Sequence, residues 1–244
     1  ICKKYEAKYP DNITYIEKEN GGVSSARNAG MKYAAGTYIN FMDSDDIWDS
    51  EAFRHVLEFA EEYPGVRIIS AKMAFSGRNE GKPYILDYVY KETRPIDIIK
   101  TSDLPLFSAP RTFFHRTILT GHSFIEGLII SEDQRFLTEI LLDEGMFGVV
   151  KDAVYYYRKR EDESSAFDKS VFTADYYTRT PHDVFIRLIE LSKEKYGEVI
   201  PYMQNLMLVN MRQRRKPIPE RGKFLRSSRG RCFLKGKEFL RASP

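Results

Sequence analysis

Strand-like and helix-like segments alternate along the first part of the chain, and this order limits the folds that it can adopt. The largely apolar or β-branched segments 12–19, 37–43 and 66–76 predict strands. The glycine-containing segment 20–36 predicts a loop that leads into a helix, and the amphipathic segment 50–65 predicts a second helix. A strand–helix order of this kind predicts an α/β fold, with a mostly parallel sheet and helices on both of its faces.

The remainder of the chain predicts two further strong elements and a helical C-terminal part. Residues 131–145 predict a helix, residues 147–160 a strand, and residues 173–210 a set of helices interrupted by prolines. We therefore expect three parts in chain order. These are an α/β domain, a helical region and a basic, poorly ordered tail, at residues 1–160, 161–210 and 211–244.

Composition excludes several classes of protein. Only Cys2 and Cys232 are cysteines among 244 residues, so we expect no disulfide framework and a reducing, cytoplasmic compartment. No apolar segment approaches the roughly 20 residues that cross a bilayer. Residues 211–244 hold twelve Lys or Arg and two Glu, so the net charge of this tail is +10. Because the whole chain has a net charge of +3, residues 1–210 have a net charge of −7. The acidic body gives no indication of nucleic-acid binding; the tail predicts either contact with an anionic membrane surface or a solvated end.

Three aspartates follow the second predicted strand at its carboxyl end. Asp43, Asp45 and Asp46 lie within four positions, and their like charges repel unless a cation or a donor-rich ligand compensates for them. Ligands of α/β sheets bind beyond the carboxyl ends of strands, where Mg²⁺ or Mn²⁺ takes one or two carboxylates and completes its shell with phosphate oxygens and water. The cluster predicts such a site, and a turn in which one aspartate caps the next helix is the alternative. An EF-hand is excluded, because Trp48 and Arg54 occupy its glycine and glutamate positions.

Gly21 and Gly22 precede a predicted helix that carries Arg27, which we expect in the first turn. The helix dipole disfavours a cation there. An anion bound at the N-terminus would reverse this effect, and the two glycines would let the backbone approach it closely. An ordinary glycine turn beside a surface arginine is the alternative interpretation.

Residues Ser131 and Gln134 have the spacing of a capping box, and Glu132 and Asp133 between them suit the first turn of a helix electrostatically. A carboxylate at this position that is directed into a pocket could instead act as a general base. The motif by itself is consistent with both interpretations.

The last predicted strand is rich in tyrosine and ends in Arg158 and Arg160. The planar guanidinium group of arginine suits diphosphates because it forms two parallel hydrogen bonds. A solvated strand end is the alternative.

Four motifs in this order resemble the family-2 glycosyltransferases of the GT-A fold. They are NGGVSSARNAG, a strand ending in FMDSDD and followed by a Trp, ISEDQRF, and VYYYRKREDESS. Within that family the series is most similar to bacterial enzymes of capsule, exopolysaccharide and teichoic-acid-type assembly. The resemblance covers residues 1 to about 210 and implies an inverting enzyme with a nucleotide-diphosphate sugar as donor, a saccharide or lipid-linked hydroxyl as acceptor, and Mn²⁺ or Mg²⁺ as cofactor.

The resemblance also implies roles for individual carboxylates. Asp43 and Asp45 match the family's DxD motif, in which the second acidic residue binds the metal, and Asp46 extends it. Asp133 matches the base that removes the proton of the acceptor hydroxyl, with Glu132 beside it.

Two other segments match parts of the family that bind the donor. The segment lining the nucleotide pocket is matched by Asn20, Gly21, Gly22, Arg27 and Asn28. The segment that folds over the donor diphosphate is matched by Tyr157 and Arg158.

The chain departs from the family at both ends. It opens with ICKKYEAKYP, and the usual first strand and the DDGSTD motif that binds base and ribose are absent, so we expect that the first βαβ unit of the family is missing. The basic tail also differs from the usual helical C-terminus. Two other functions are compatible with parts of the pattern, namely a haloacid-dehalogenase-like Mg²⁺-dependent phosphatase and a truncated domain that binds nucleotide sugars without catalysis.

Overall fold

The computed structural model describes residues 1–160, 170 and 173–214. Within them, six strands form one sheet: β1 (Tyr38–Asn40), β2 (Ile47–Trp48), β3 (Ile68–Gly77), β4 (Arg94–Asp97), β5 (Thr112–His115) and β6 (Met146–Lys159). The α-helices are α1 (Cys2–Lys8), α2 (Gly22–Tyr33), α3 (Ala52–Glu62), α4 (Glu132–Glu144), α5 (Ala174–Tyr177), α6 (Arg187–Tyr196) and α7 (Pro201–Arg214). Short 3₁₀ segments occur at Asp87–Tyr90 and Arg116–Leu119, and a π-helix, Pro181–Ile186, leads into α6.

The sheet has the strand order β1-β5-β3-β6-β2, and β4 pairs with the first part of β6. Only β3 and β6 run parallel, and the other four pairings are antiparallel. The α/β class with helices on both faces is confirmed, but the expectation of a mostly parallel sheet is wrong. Strand β5 lies between β1 and β3 and is antiparallel to both. Local sequence patterns do not encode the direction in which two strands pair.

The predicted strand at residues 12–19 is also wrong. These residues form a turn and an irregular segment, which is anchored by a 2.7 Å hydrogen bond from the Tyr15 amide to the carboxylate of Glu6. No strand among the described residues pairs with it, and an unpaired extended segment has no ladder of hydrogen bonds to stabilise it.

Adjacent side chains of the strands enter two separate cores, one on each face of the sheet, as the alternation of a strand requires. Ile69 and Val150 pack with Phe59 of α3, whereas their neighbours Ile68 and Val149 pack with the apolar side of α4. Residues of α6 and α7 enter the same core as α4. This shared core therefore fixes the positions of the strand ends and of the start of α4 relative to one another.

The predicted division into parts at residues 160 and 210 stays a prediction. The C-terminal helices share one hydrophobic core with the sheet. Residues 211–214, which we expected in the basic tail, are the last turn of α7. The rest of that tail, residues 215–244, lies outside the described residues. No helix within the described part of the chain is long and apolar enough to cross a membrane.

Candidate active site

The end of β1, the start of α4 and the end of β6 meet around one cleft of about 540 Å³. Four motifs that are far apart in the sequence contribute to its wall. The predicted site residues that line it are Arg27, Asp43, Asp45, Asp46, Glu132, Asp133, Tyr157 and Arg158. The structure therefore brings together three segments, namely the acidic turn (residues 43–46), the acidic start of α4 (Glu132 and Asp133) and the basic end of β6.

The acidic turn that follows β1 is closed by a 3.2 Å hydrogen bond from the Asp46 amide to the Asp43 carbonyl. Its carboxylates have different partners. Asp43 accepts a 2.8 Å hydrogen bond from Arg27, and Asp45 accepts two, of 3.0 and 2.7 Å, from Arg160. Both carboxylates line the cleft and are paired with cationic side chains.

Asp46 is directed inward and fastens the acidic turn to β6. Its carboxylate accepts a 2.5 Å hydrogen bond from the Tyr155 hydroxyl and a 2.8 Å hydrogen bond from the Arg158 amide. Only 5% of the residue is exposed, and burial raises the pKa of the Asp46 carboxyl above its usual range while these two hydrogen bonds oppose the shift. The donor set around Asp46 is thus complete without a ligand, and its contacts hold the strand end in place.

Two carboxylates, those of Asp43 and Asp45, suit a hard divalent cation that completes its shell with phosphate oxygens and water. Asp46 fits a metal site poorly because its oxygens are already engaged. Among the described residues no group of three or more His, Cys, Asp or Glu side chains is arranged to hold a metal ion. The arrangement is therefore compatible with a two-carboxylate site whose remaining ligands come from a bound diphosphate.

Arg27 connects the acidic turn with the start of α4. It lies in the second turn of α2 rather than in the first, and its guanidinium bonds Asp43 at 2.8 Å and Glu132 at 3.0 Å. The guanidinium also packs over the ring of Phe124, 5.3 Å from the centroid. Burial lowers the pKa of Arg27, but the nearby carboxylates of Asp133, Asp43 and Glu132 outweigh it and raise the pKa overall. The carboxylates of Asp43 and Glu132 thus compensate the charge of Arg27 within the protein, and the anion predicted at the N-terminus of α2 stays a prediction.

Glu132 is nearly buried, with a residue exposure of 9%. Burial and the adjacent charge of Asp133 raise the pKa of Glu132 to about 7, and the ion pair with Arg27 opposes this shift. Glu132 therefore lines the cleft with its carboxylate paired to Arg27 rather than as a free base.

Asp133 occupies the next position and is half-buried at the wall of the cleft. Its carboxylate accepts a 2.7 Å hydrogen bond from the amide of Gln134. The predicted capping box is wrong, because Ser131 makes no side-chain cap hydrogen bond and has a left-handed backbone with φ of 65°. Asp133 instead accepts from one of the amides at the start of the helix.

Ser108 was not identified from the sequence, and Ser131 was predicted only as a helix cap. They are the non-glycine residues with positive φ in the described part of the chain, at 77° and 65°, and both line the cleft beside Asp133. Non-glycine residues adopt this conformation at a cost, and such positions concentrate at functional sites. No sequence signal marks their left-handed backbone or their place in the cleft, since serine is common in ordinary turns.

Four residues that we predicted to line the nucleotide pocket, Asn20, Gly21, Gly22 and Asn28, do not line this cleft. Asn20 accepts a 3.0 Å hydrogen bond from the Gly22 amide, and a Cβ on Gly21 would lie 2.7 Å from the hydroxyl of Ser25. These contacts shape the start of α2.

Asn28 has a clear structural contact. Its side chain donates to the Phe124 carbonyl and accepts from the Phe124 amide, both at 2.8 Å. This pair of hydrogen bonds fixes the backbone of Phe124, whose ring packs against the guanidinium of Arg27. A donor-binding role for Asn28 stays a prediction.

Comparison with known proteins agrees with this arrangement. Residues 1–120 match the sequence model of Glycosyl transferase family 2. The chain is 33% identical over 213 residues to the minor teichoic acid biosynthesis protein GgaB of Bacillus subtilis strain 168, across 87% of this chain and 24% of that protein. It is 30% identical over 182 residues to the poly(ribitol-phosphate) beta-N-acetylglucosaminyltransferase TarS of Staphylococcus aureus strain MW2, across 72% of this chain and 30% of that protein.

A solved structure has the same fold. The crystal structure of S. aureus TarS 1-349 in complex with UDP-GlcNAc superposes with a TM-score of 0.61 at 22% identity, across 97% of this chain and 64% of that chain.

The chain spans less than a third of the length of either curated relative named above. These matches favour the glycosyltransferase motifs over the phosphatase alternative. The chain belongs to glycosyl transferase family 2, has the GT-A type of α/β fold, and has relatives in teichoic acid biosynthesis.

Proposed function

We propose that the chain is an inverting glycosyltransferase that moves a sugar from a nucleotide-diphosphate sugar to a hydroxyl group of a cell-surface polymer. The observation that carries this proposal is the Arg27 bridge, which holds the acidic turn and the acidic start of α4 on one cleft. The names of the relatives support the substrate class, since TarS was solved with UDP-GlcNAc and is named a poly(ribitol-phosphate) beta-N-acetylglucosaminyltransferase.

The residues at the donor side of the cleft would bind a diphosphate. Asp43 and Asp45 would hold Mn²⁺ or Mg²⁺, which when bound stabilises the negative charge that develops on the leaving phosphates. Arg158 and Arg160 line the same wall and add cationic groups for these oxygens. Arg160 already pairs with Asp45 at 2.7 Å, so a donor that carries its own cation would compete for this contact.

Asp133 is the residue that suits the role of general base. Its carboxylate lines the cleft, whereas the carboxylate of Glu132 is committed to Arg27 at 3.0 Å. Asp133 would accept the proton of the acceptor hydroxyl while that oxygen bonds to the anomeric carbon and the bond from this carbon to the diphosphate breaks. Attack from the side opposite the leaving group inverts the anomeric centre. In this assignment Glu132 positions Arg27 and Asp133 and does not itself take the proton.

The location of the reaction is part of the same proposal. A nucleotide-diphosphate sugar is a cytoplasmic donor, and the basic residues 215–244 would hold the protein at the anionic inner surface of the membrane. The acceptor would then be a polymer that is assembled at that surface.

Transfer of labelled sugar from UDP-sugars to a poly(ribitol phosphate) acceptor, measured with Asp133→Asn, tests this proposal. The amide is nearly isosteric with the carboxylate, so the affinity for UDP-sugar should stay within about twofold while turnover falls by about 10² or more. Glu132→Gln should lower turnover less, and Asp143→Asn, an exposed carboxylate on the same helix, should leave it unchanged. Near-normal turnover of Asp133→Asn would remove Asp133 as the base, and donor binding without any transfer would favour a non-catalytic binding domain.

A further inference from the structure

Arg111 carries a positive charge in the core behind the cleft. The residue is fully buried, and its guanidinium forms no ion pair with the described residues. Its Nε atom donates to the Phe107 carbonyl at 3.1 Å and its Nη1 atom to the Ala71 carbonyl at 3.5 Å, while Nη2 is buried without a partner. A buried charge without a counter-ion is unfavourable, so its presence in a native protein calls for an explanation.

Two tyrosine rings pack on this guanidinium, and only one of them reaches the cleft. The central carbon of the Arg111 guanidinium lies 5.0 Å from the ring centroid of Tyr84 and 4.8 Å from that of Tyr90. The hydroxyl of Tyr90 is hydrogen-bonded to that of Ser70 at 2.8 Å in the interior. Tyr84 instead lines the cleft, and its hydroxyl makes no hydrogen bond to the described residues. Arg111 therefore supports a ring whose hydroxyl is available to a ligand.

Arg111 also holds the turn at residues 107–112, which contributes to the same cleft. Its Nε atom bonds the carbonyl at the start of this turn, and the Thr112 hydroxyl donates to the Ser108 carbonyl at 3.0 Å. Ser108, with its left-handed backbone, and Pro110 line the cleft. Loss of the guanidinium would thus loosen both this turn and the tyrosine ring.

These residues belong to a part of the cleft lining that carries no charge. This neutral wall consists of Met73, Phe75, Tyr84, Ser108 and Pro110. The rings of Phe75 and Tyr84 pack edge to face with 6.0 Å between their centroids. The acidic turn and the basic end of β6 form the part of the lining that suits a cation and a diphosphate. The neutral wall suits a sugar ring, because the hydroxyl groups of a sugar need hydrogen-bond partners but no counter-ion.

Both the buried cation and the proposed base influence the hydroxyl of Tyr84. Burial raises the pKa of Tyr84, the charge of Arg111 opposes this shift, and the charge of Asp133 adds to it. The phenol therefore stays protonated and can donate a hydrogen bond in the cleft that Asp133 also lines.

We propose that Tyr84 and Arg111 are two further residues of the transfer reaction. The Tyr84 hydroxyl binds a hydroxyl group of the sugar that is transferred, and Arg111 is a positioning residue that holds the Tyr84 ring and the turn with Ser108. The proposal rests on the proposed function, because it takes the cleft as the site of a nucleotide-diphosphate sugar. It adds a residue that recognises the sugar part of the donor and a buried residue that acts through it.

Titration calorimetry with UDP and with a UDP-sugar separates contacts to the sugar from contacts to the nucleotide. The UDP-sugar is whichever of UDP-GlcNAc, UDP-glucose and UDP-GalNAc the parent protein binds most tightly. In Tyr84→Phe its affinity should fall by about 5–10-fold, as expected for one lost hydrogen bond, while the affinity for UDP and the melting temperature stay unchanged. Tyr90→Phe is the matched control, because its ring packs on the same guanidinium but its hydroxyl lies in the interior. It should lower the melting temperature and leave both affinities unchanged.

Arg111→Lys tests the positioning role, because it keeps the charge and loses the planar group that packs on the ring. It should weaken UDP-sugar binding by about 3–10-fold and UDP binding by less. In the double variant Arg111→Lys with Tyr84→Phe, the loss of UDP-sugar affinity should be close to that of the larger single effect, because both changes remove the same contact. A residue of purely structural importance would lower the melting temperature and leave the ratio of the two affinities unchanged.

The outcomes distinguish this proposal from the proposed function. Unchanged UDP-sugar affinity in Tyr84→Phe would overturn the sugar contact, even in a protein that transfers sugar and even if Arg111→Lys does not fold. Additive losses in the double variant would overturn the positioning role of Arg111. Binding of UDP-sugar that depends on Tyr84 in a protein that transfers no sugar would support the contact and contradict the transferase. A parent protein that binds neither UDP nor any of the three UDP-sugars would contradict both proposals.

Discussion

The guanidinium of Arg27 lies 3.0 Å from the carboxylate of Glu132, although 105 positions separate the two residues in the chain. The same guanidinium reaches Asp43 at 2.8 Å, and only 10% of the Arg27 side chain is exposed. This single cation therefore compensates two carboxylates at the point where the cleft is formed.

Replacement of Arg27 by Met should destabilise the protein by about 3 kcal/mol, because Glu132 and Asp43 lose the charge that compensates for their burial. Urea denaturation measures this change in the free energy of unfolding. In the double variant Arg27→Met with Glu132→Gln, the total loss of stability should be smaller than the sum of the losses in the two single variants. Arg54→Met is the control, since the Arg54 side chain is 53% exposed and its ion pairs are screened by solvent, so its replacement should change the free energy of unfolding much less. Equal effects of the two arginine substitutions would contradict a structural role for the bridge.

Glu132 should make stability fall as the pH rises. Its pKa is raised to about 7 in the folded protein by burial and by the charge of Asp133, so between the unfolded pKa of about 4.5 and pH 7 the folded state binds more protons than the unfolded state. The free energy of unfolding should therefore decrease across this window, by at most about 1.4 kcal/mol per pH unit from this group. Denaturation curves at several pH values should show a shallower decrease in Glu132→Gln. A steeper decrease, or none in the parent protein, would contradict the assignment.

Metal-dependent nucleotide binding should depend on Asp45 first and on Asp43 second. Loss of one carboxylate from a two-carboxylate site leaves too little negative charge to hold a hard cation beside a diphosphate. Titration of UDP with Mn²⁺ should therefore give no measurable metal dependence in Asp45→Ala, and Asp11→Ala, at an exposed position, should behave like the parent. Asp46→Ala should instead lower the melting temperature, because the Tyr155 hydroxyl and the Arg158 amide lose their acceptor. Unaltered Mn²⁺ dependence in Asp45→Ala would mean that the acidic turn serves the structure only.

Gly148 should not tolerate a side chain. A Cβ at this position of β6 would lie 2.2 Å from Cε1 of Phe59, so Gly148→Ala must displace the ring of a well-packed core and should cost about 1–3 kcal/mol. Adding Phe59→Leu should recover part of this loss. Gly30→Ala is the matched control, because Gly30 lies in α2 with open space around it, and the substitution should stabilise the protein by about 0.5–1 kcal/mol. A neutral Gly148→Ala would contradict the close packing of α3 on the sheet.

Removal of residues 215–244 should weaken binding to anionic vesicles. Basic residues near such a surface contribute up to about 1 kcal/mol each, and the attraction falls with added salt. Co-sedimentation with phosphatidylserine-containing and neutral vesicles measures the difference. The deletion begins after Arg214, so that helix α7 stays intact. Equal co-sedimentation with and without the segment would leave it as a solvated end.

The amino-acid sequence by itself determined the helices α3 and α4, the strands β1, β3 and β6, and the positions of the two acidic motifs at element ends. These features follow from local periodicity and from the residues that begin and end elements, and the order of the motifs was sufficient to indicate the family. It also indicated the carboxylates of the cleft, because three aspartates directly after a strand are unusual unless something compensates their charge.

Only the tertiary structure decided what each of these groups does. The sheet is mostly antiparallel because β5 pairs with β1 and β3, and β2 and β4 pair with β6, which no local pattern specifies. Asp46 differs from its neighbours Asp43 and Asp45 because the Tyr155 hydroxyl and the Arg158 amide reach it from β6, and the unpartnered amide of Gln134 becomes evident only once its burial is known. Burial and partnership depend on segments that are distant in sequence, and they determine charge, pKa and accessibility, so the chemistry of the site is fixed by packing rather than by the motif alone.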